Sequence, residues 1–240
     1  MPIKFRFRWM PFIACSIAIT IGILLGNWQT RRAAEKEAIE QKLLERESAP
    51  PLDLNRVTPG VEEAEYRRVH LKGEFLPRWS IYLDNRPYQG VPGFYVLTPF
   101  RIDGTSKYVL VMRGWFKRDI ADRTKLPDLK TPGDPIDIEG MVRRNASHVL
   151  QLGTPLPLQP GAILQNVEIA QFTQASGLPV QPYFVEQTSD TGDGLVRDWP
   201  RPSSGVDKHK GYAFQWYALS AMALIFFMVT GLRRGSKQAS

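Results

Sequence analysis

WMPFIACSIAITIGILLGNW, residues 9–28, is an unbroken apolar run of membrane length, and YAFQWYALSAMALIFFMVTGL, residues 212–232, is its counterpart near the other end of the 240-residue chain. A helix needs about 20 mostly apolar residues to cross a bilayer. Neither run contains Asp, Glu, Lys or Arg. Lys4, Arg6 and Arg8 precede the first run; Arg233, Arg234 and Lys237 follow the second. Basic residues flanking a span stay on the cytoplasmic side. The pattern therefore predicts two spans, 9–28 and 212–232, with cytoplasmic tails at 1–8 and 233–240. The middle, 29–211, falls on the far side of the membrane. A cleaved signal peptide is the rival reading of the first run, but that run leads into Gly26-Asn27-Trp28-Gln29-Thr30-Arg31-Arg32, which has no A-x-A site.

The net charge of +7 follows from this layout. Six of the 31 basic residues lie in the tails, and tails and spans carry no acid, so the middle holds 25 basic against 24 acidic residues. An almost neutral middle gives no sign of a nucleic-acid partner; the expected contact is membrane lipid. Cys15 is the only cysteine and lies inside the first run, which excludes an intrachain disulfide, a C-x-x-C pair and a cysteine zinc site. A middle segment of this length can bury a core without such staples.

Working inward, residues 30–48 (TRRAAEKEAIEQKLLERES) are strong helix formers with a Lys36–Glu40 pair at i,i+4, and Pro50-Pro51 ends the pattern. They predict a helical stalk continuing out of the first span. Short runs rich in Val, Ile, Tyr, Phe and Trp follow at 66–75, 80–85, 93–100, 108–116 and 136–142, separated by Gly, Pro, Asn and Asp. Asp103-Gly104 reads as a hairpin turn. Pro-rich loops are expected at 119–134 and 153–161. Residues 167–176 read as a helix capped by Asn166 and stopped by Gly177, and 182–187 as a last strand before an irregular linker at 189–207. The expected fold is a membrane-anchored α+β protein: two terminal transmembrane helices flanking one exported, mainly antiparallel-β, barrel-like domain.

No G-x-S-x-G, H-E-x-x-H, Walker or G-x-G-x-x-G motif is present, so no enzyme is indicated. Asp84-Asn85-Arg86 and Arg113-Gly114-Trp115 read as buried polar turns beside strands. His70, His148 and His209 are too dispersed for a metal motif. His209 differs in standing just before the second span. On a helix it shares a face with Tyr212, Ala213 and Trp216, at i+3, i+4 and i+7. A neutral imidazole beside aromatic walls suits a haem iron. A solvated histidine within an interfacial aromatic belt has the same sequence pattern.

Taken in order, several motifs resemble the Surfeit-locus cytochrome c oxidase assembly factors. Leu25-Gly26-Asn27-Trp28-Gln29 with Arg32 is similar to that family's LGxWQxxR. Gly73-Glu74-Phe75, Asp84-Asn85-Arg86, Gly90-Val91-Pro92-Gly93-Phe94 and Leu97-Thr98-Pro99 follow. Val109-Leu110-Val111-Met112-Arg113-Gly114-Trp115 resembles vLVnRGW. Asp137-Ile138-Glu139-Gly140-Met141-Val142-Arg143 and His209-x-x-Tyr212-Ala213-x-x-Trp216-Tyr217 complete the series. The resemblance implies a non-enzymatic factor that assists haem a insertion into oxidase subunit I, with His209 as iron ligand and Tyr212 and Trp216 beside it. It also implies haem a as a transient cofactor, and subunit I and haem A synthase as partners. Asp207-Lys208 and Lys210 depart from the usual residues around the histidine. A scaffold for subunit I that never holds haem, using Arg113 and Trp115 on its surface, is one alternative; a membrane-anchored exported enzyme is the other. The short segment before the first span points to a bacterial inner membrane, with the central domain in the periplasm.

Overall fold

The computed structural model describes residues 3–5, 7–122, 124–126, 128–133, 135–151, 156–200 and 205–234. Lys237, Arg6, and parts of the expected loops at 119–134 and 153–161 and of the linker at 189–207 lie outside them. The chain divides into two units, Met1–Lys42 with Pro202–Ser240, and Leu43–Arg201.

The first unit contains strand β1 (Ile3–Phe5) and most of helix α1 (Trp9–Ser48), then helix α4 (Val206–Gly231) and strand β10 (Leu232–Arg234) from the chain's far end. Helix α1 runs without a break through the apolar run and the charged stretch after it, and stops before Pro50-Pro51, which cannot continue a helix. Gly205, at φ 67°, turns the chain into α4, six residues before the apolar run begins. Both helices are long and apolar enough to cross a membrane.

α1 and α4 are antiparallel. The Cys15 thiol donates to the Ala223 carbonyl at 3.3 Å and the Ser220 hydroxyl to the Ile19 carbonyl at 3.4 Å. Farther along, Gly22 lies against Ser220 and Gly26 against the Tyr217 ring. Contacts on α1 recur at steps of three and four, the spacing that keeps one seam facing a partner helix. Small residues on that seam let the helices pack closely: a Cβ at Gly26 would fall 2.6 Å from the Tyr217 ring, and one at Gly22 would fall 3.1 Å from the Trp216 carbonyl oxygen. β1 and β10 pair antiparallel across the two helix ends.

The second unit is a β-barrel. In chain order it has β2 (Leu52–Asp53), α2 (Val61–Ala64), β3 (Arg68–Phe75), a 3₁₀ turn at Pro77–Trp79, β4 (Ile81–Leu83), β5 (Gly93–Ile102), β6 (Tyr108–Lys117), β7 (Ile136–Arg143), β8 (Ile163–Leu164), α3 (Ile169–Ser176) and β9 (Val180–Gln187). Five strands close a ring in the order β3-β7-β9-β6-β5 and back to β3. Four of the ring's pairings are antiparallel, and β6–β9 is parallel. An odd number of strands cannot alternate all the way round, so closure requires a parallel seam. The expected mainly antiparallel barrel is present with that addition.

Inward positions follow the two-residue period of a strand. Val69, Leu71 and Phe75 of β3 meet Phe100, Val111, Ile138, Val142, Tyr183 and Val185 in the barrel core. Burial pushes the Tyr183 hydroxyl up to about 12. β5 is buried along almost its whole length; outside the barrel core, its Leu97 joins a second cluster with Leu83 of β4, Leu164 of β8, Met112 of β6 and Phe172 of α3. Burying that phenylalanine contributes about 1.5–3 kcal/mol. The strand expected at 66–75 begins at Arg68, because Tyr66 takes φ 63° in the turn after α2. Asn166 does not cap α3. Its side chain accepts from the Val149 amide at 2.8 Å and donates to the Val149 carbonyl at 2.9 Å, and Glu168 occupies the cap position without a side-chain bond. Gly177 ends α3 at φ 70°, as its position predicts.

Candidate functional site

The residues singled out before the second span lie on the first three turns of α4. Val206 is buried, His209 half-buried, Tyr212 54% exposed and Trp216 half-buried. Spacing places His209, Tyr212 and Trp216 along one flank of the helix. Ala213, at 6% exposed, is taken up in packing and leaves no open wall at that point.

The His209 ring is hydrogen-bonded to α1. Its Nδ1 lies 2.7 Å from Oε1 of Gln29, a residue 180 positions away in sequence. Polar links flank this pair along both helices. The Lys210 ammonium pairs with Glu37. The Tyr217 hydroxyl donates to Asn27 Oδ1 at 2.8 Å and lies 3.4 Å from the Thr30 hydroxyl. Reading the sequence did not single out Gln29 as a partner of the histidine. The available signal was its place on the α1 seam, three residues after Gly26.

The other two histidines are apart from this site and from each other. His70 Nε2 lies 3.2 Å from Asp137 on the barrel surface. His148 lines a cavity of about 110 Å³ with Asn145, Asn166 and Glu168. Among the described residues no group of three His, Cys, Asp or Glu side chains could hold a bare metal ion. A haem iron needs less from the protein, because the porphyrin supplies four ligands and one imidazole can serve as an axial ligand. His209 fits that requirement: the ring's other nitrogen, Nε2, has no hydrogen bond among the described residues.

The polar motifs of the barrel are internal. Arg113 is 0% exposed. It donates to Asp193 at 2.9 Å, the Thr131 hydroxyl at 2.7 Å and the Lys130 carbonyl at 3.2 Å, and lies 4.5 Å from the Phe75 ring centroid. Burial lowers its pKa, and the Asp193 charge opposes that shift. Burial would raise Asp193, but the Arg197 hydrogen bond, the Leu195 amide and the charges of Arg197 and Arg113 together hold it below the ordinary carboxylate value. Trp115 is 8% exposed and donates its indole N–H to the Arg86 carbonyl at 2.6 Å. Arg86 donates to the carbonyls of Asp84, Ser147 and Gln165. Arg113 and Trp115 therefore brace the barrel and offer no surface for a partner, which removes them from the interaction face considered above. Glu186 pairs with Arg143 at 2.6 Å, and burial pushes its carboxyl up despite that partner.

Fold and site together define a protein with an antiparallel pair of membrane-length helices and a small closed barrel between them in the sequence. The sequence profile of the SURF1 family matches residues 16–221, and the chain belongs to that family. A SURF1-like protein of Rickettsia conorii is 35% identical over 224 residues, covering 89% of this chain and 88% of its own. One from Rickettsia bellii is 26% identical over 224 residues, covering 89% and 87%. The cytochrome oxidase assembly protein SHY1 of Saccharomyces cerevisiae is 34% identical over 101 residues, 41% of this chain and 26% of that one.

Proposed function

We propose that the chain is an assembly factor for haem-copper cytochrome c oxidase that holds haem a in transit to subunit I. The assembly role rests on family membership and on similarity to the yeast cytochrome oxidase assembly protein SHY1. The haem role rests on one observation: a half-buried histidine in the first turn of α4, with one ring nitrogen hydrogen-bonded to α1 and the other without a hydrogen bond among the described residues. Haem a is apolar and made in the membrane. A carrier that presents one ligand beside an apolar helix, flanked by Tyr212 and Trp216, can hold it and release it. When bound, haem would take His209 Nε2 on its iron, and Lys208 is available for a propionate. On this reading the termini are cytoplasmic, the barrel is periplasmic in a bacterial inner membrane, and haem A synthase is the donor.

The test is co-expression with a haem A synthase, purification in mild detergent, and the reduced visible spectrum beside that of His209→Ala. A haem a band that the variant loses supports the reading. A band retained in full by His209→Ala removes the ligand. No band in either protein leaves a scaffold for subunit I, to be checked by the oxidase content of membranes lacking the gene.

A further inference from the structure

We propose that Gln29 is a positioning residue for His209, fixing the imidazole tautomer and ring plane that leave Nε2 ready for iron. This rests on the reading that His209 binds haem iron. With the Gln29 amide oriented so that Oε1 faces the ring at 2.7 Å, that oxygen accepts and Nδ1 carries the hydrogen. With Nδ1 protonated in the neutral ring, the lone pair is on Nε2. Ligating histidines are commonly held in this way, by an oxygen acceptor on the nitrogen that does not meet the metal.

The helix pair makes the acceptor rigid. Gln29 follows Gly22 and Gly26 on the packed seam of α1, where the Ser220 side chain and the Tyr217 ring of α4 fill the room the glycines leave. The Tyr217–Asn27 bond on one side and the Lys210–Glu37 pair on the other fix the axial register of the two helices. A slip of one residue, about 1.5 Å, would separate the amide from the ring. The iron-binding end of α4 is thereby set by the other helix, and closing the α1–α4 pair completes the site.

The test uses full-length protein in detergent micelles, labelled with ¹⁵N on histidine, at a pH where imidazole is neutral. The ring ¹⁵N shifts report which nitrogen is protonated. Ferric protohaem titration of the same samples reports affinity. The native protein is expected to show His209 protonated on Nδ1. Gln29→Leu should move toward the Nε2-protonated form favoured by free histidine and bind haem about 10–100-fold more weakly. Gln29→Glu, which keeps an acceptor oxygen, should restore both readouts. An unchanged tautomer and affinity in Gln29→Leu, with haem lost in His209→Ala, overturns the role of Gln29 alone. Haem kept by His209→Ala, or bound by no sample, overturns the iron reading and this proposal with it; a tautomer shift in Gln29→Leu would then mark a purely structural bond.

Discussion

Arg113 shows how one side chain joins a loop to the barrel. Its guanidinium sits at the end of the barrel core, over Phe75, and binds Asp193, which also accepts from Arg197 at 2.6 Å. Removing one member of a buried ion pair costs more than the pair contributes, because the other charge stays buried. Arg113→Ala is expected to lower stability by about 3–5 kcal/mol, read as the urea midpoint by tryptophan fluorescence in detergent. Arg113→Lys should recover part of this, since it keeps the charge and loses the two-pronged geometry. The same cluster predicts an acid limb. Asp193 has a folded pKa below its unfolded value, so the unfolded chain takes up the proton first as pH falls. The stabilisation is complete above about pH 4 and is lost as pH falls toward the folded value. Urea midpoints measured from neutral to acid pH should therefore drop below that point. Asp193→Asn should be weaker at neutral pH and flatter in acid.

At the scale of elements, the decisive irregularity is a bulge in β6. Leu97 pairs with Met112 and Val96 with Gly114, so Arg113 is the extra residue. Leu110 and Met112 face the second cluster, and strict alternation would send Arg113 and Trp115 to the same side. The bulge lets Arg113 enter the core end while Trp115 stays outside with Met112. Gly114 makes this possible. It sits at φ 157°, and a Cβ there would lie 2.7 Å from Leu195 Cβ and 2.9 Å from the Val196 carbonyl. Gly114→Ala is expected to cost about 1–3 kcal/mol and to loosen the Trp115–Val196 bridge, seen as faster proteolysis between residues 189 and 200. Much of this level was legible in the sequence. Alternation marks β3 and Gly177 stops α3, whereas Arg113-Gly114-Trp115, which reads as a turn beside a strand, is a bulge within β6. The parallel β6–β9 seam was not legible, because it is set by closure of the ring and by no local pattern. The role of Asn166 was also hidden: a cap and a loop staple look alike until the partner, Val149, is known. His209 is visible as a candidate on its helix and Gln29 only as one letter of a motif, because their meeting depends on the register of two segments 180 residues apart.

The whole molecule has charge concentrated at the ends of its helix pair. α1 and α4 are antiparallel, and β1 pairs with β10, so Lys4 and Arg233 are register partners in one small sheet. Joining two basic tails at one end concentrates the signal that retains a segment on the cytoplasmic side. The segment between the helices carries almost balanced charge and does not oppose export. The topology proposed above, with both termini on one face of the membrane and the barrel on the other, is open to a labelling test. In a Cys15→Ser background, Lys107→Cys on the β5–β6 turn should react with a membrane-impermeant maleimide added to intact spheroplasts. Lys4→Cys should react only after the membrane is permeabilised. Labelling of both positions before permeabilisation would place the tails outside and separate them from a cytoplasmic retention signal. Labelling of neither would put the barrel in the cytoplasm, on the wrong side of the membrane for an exported domain.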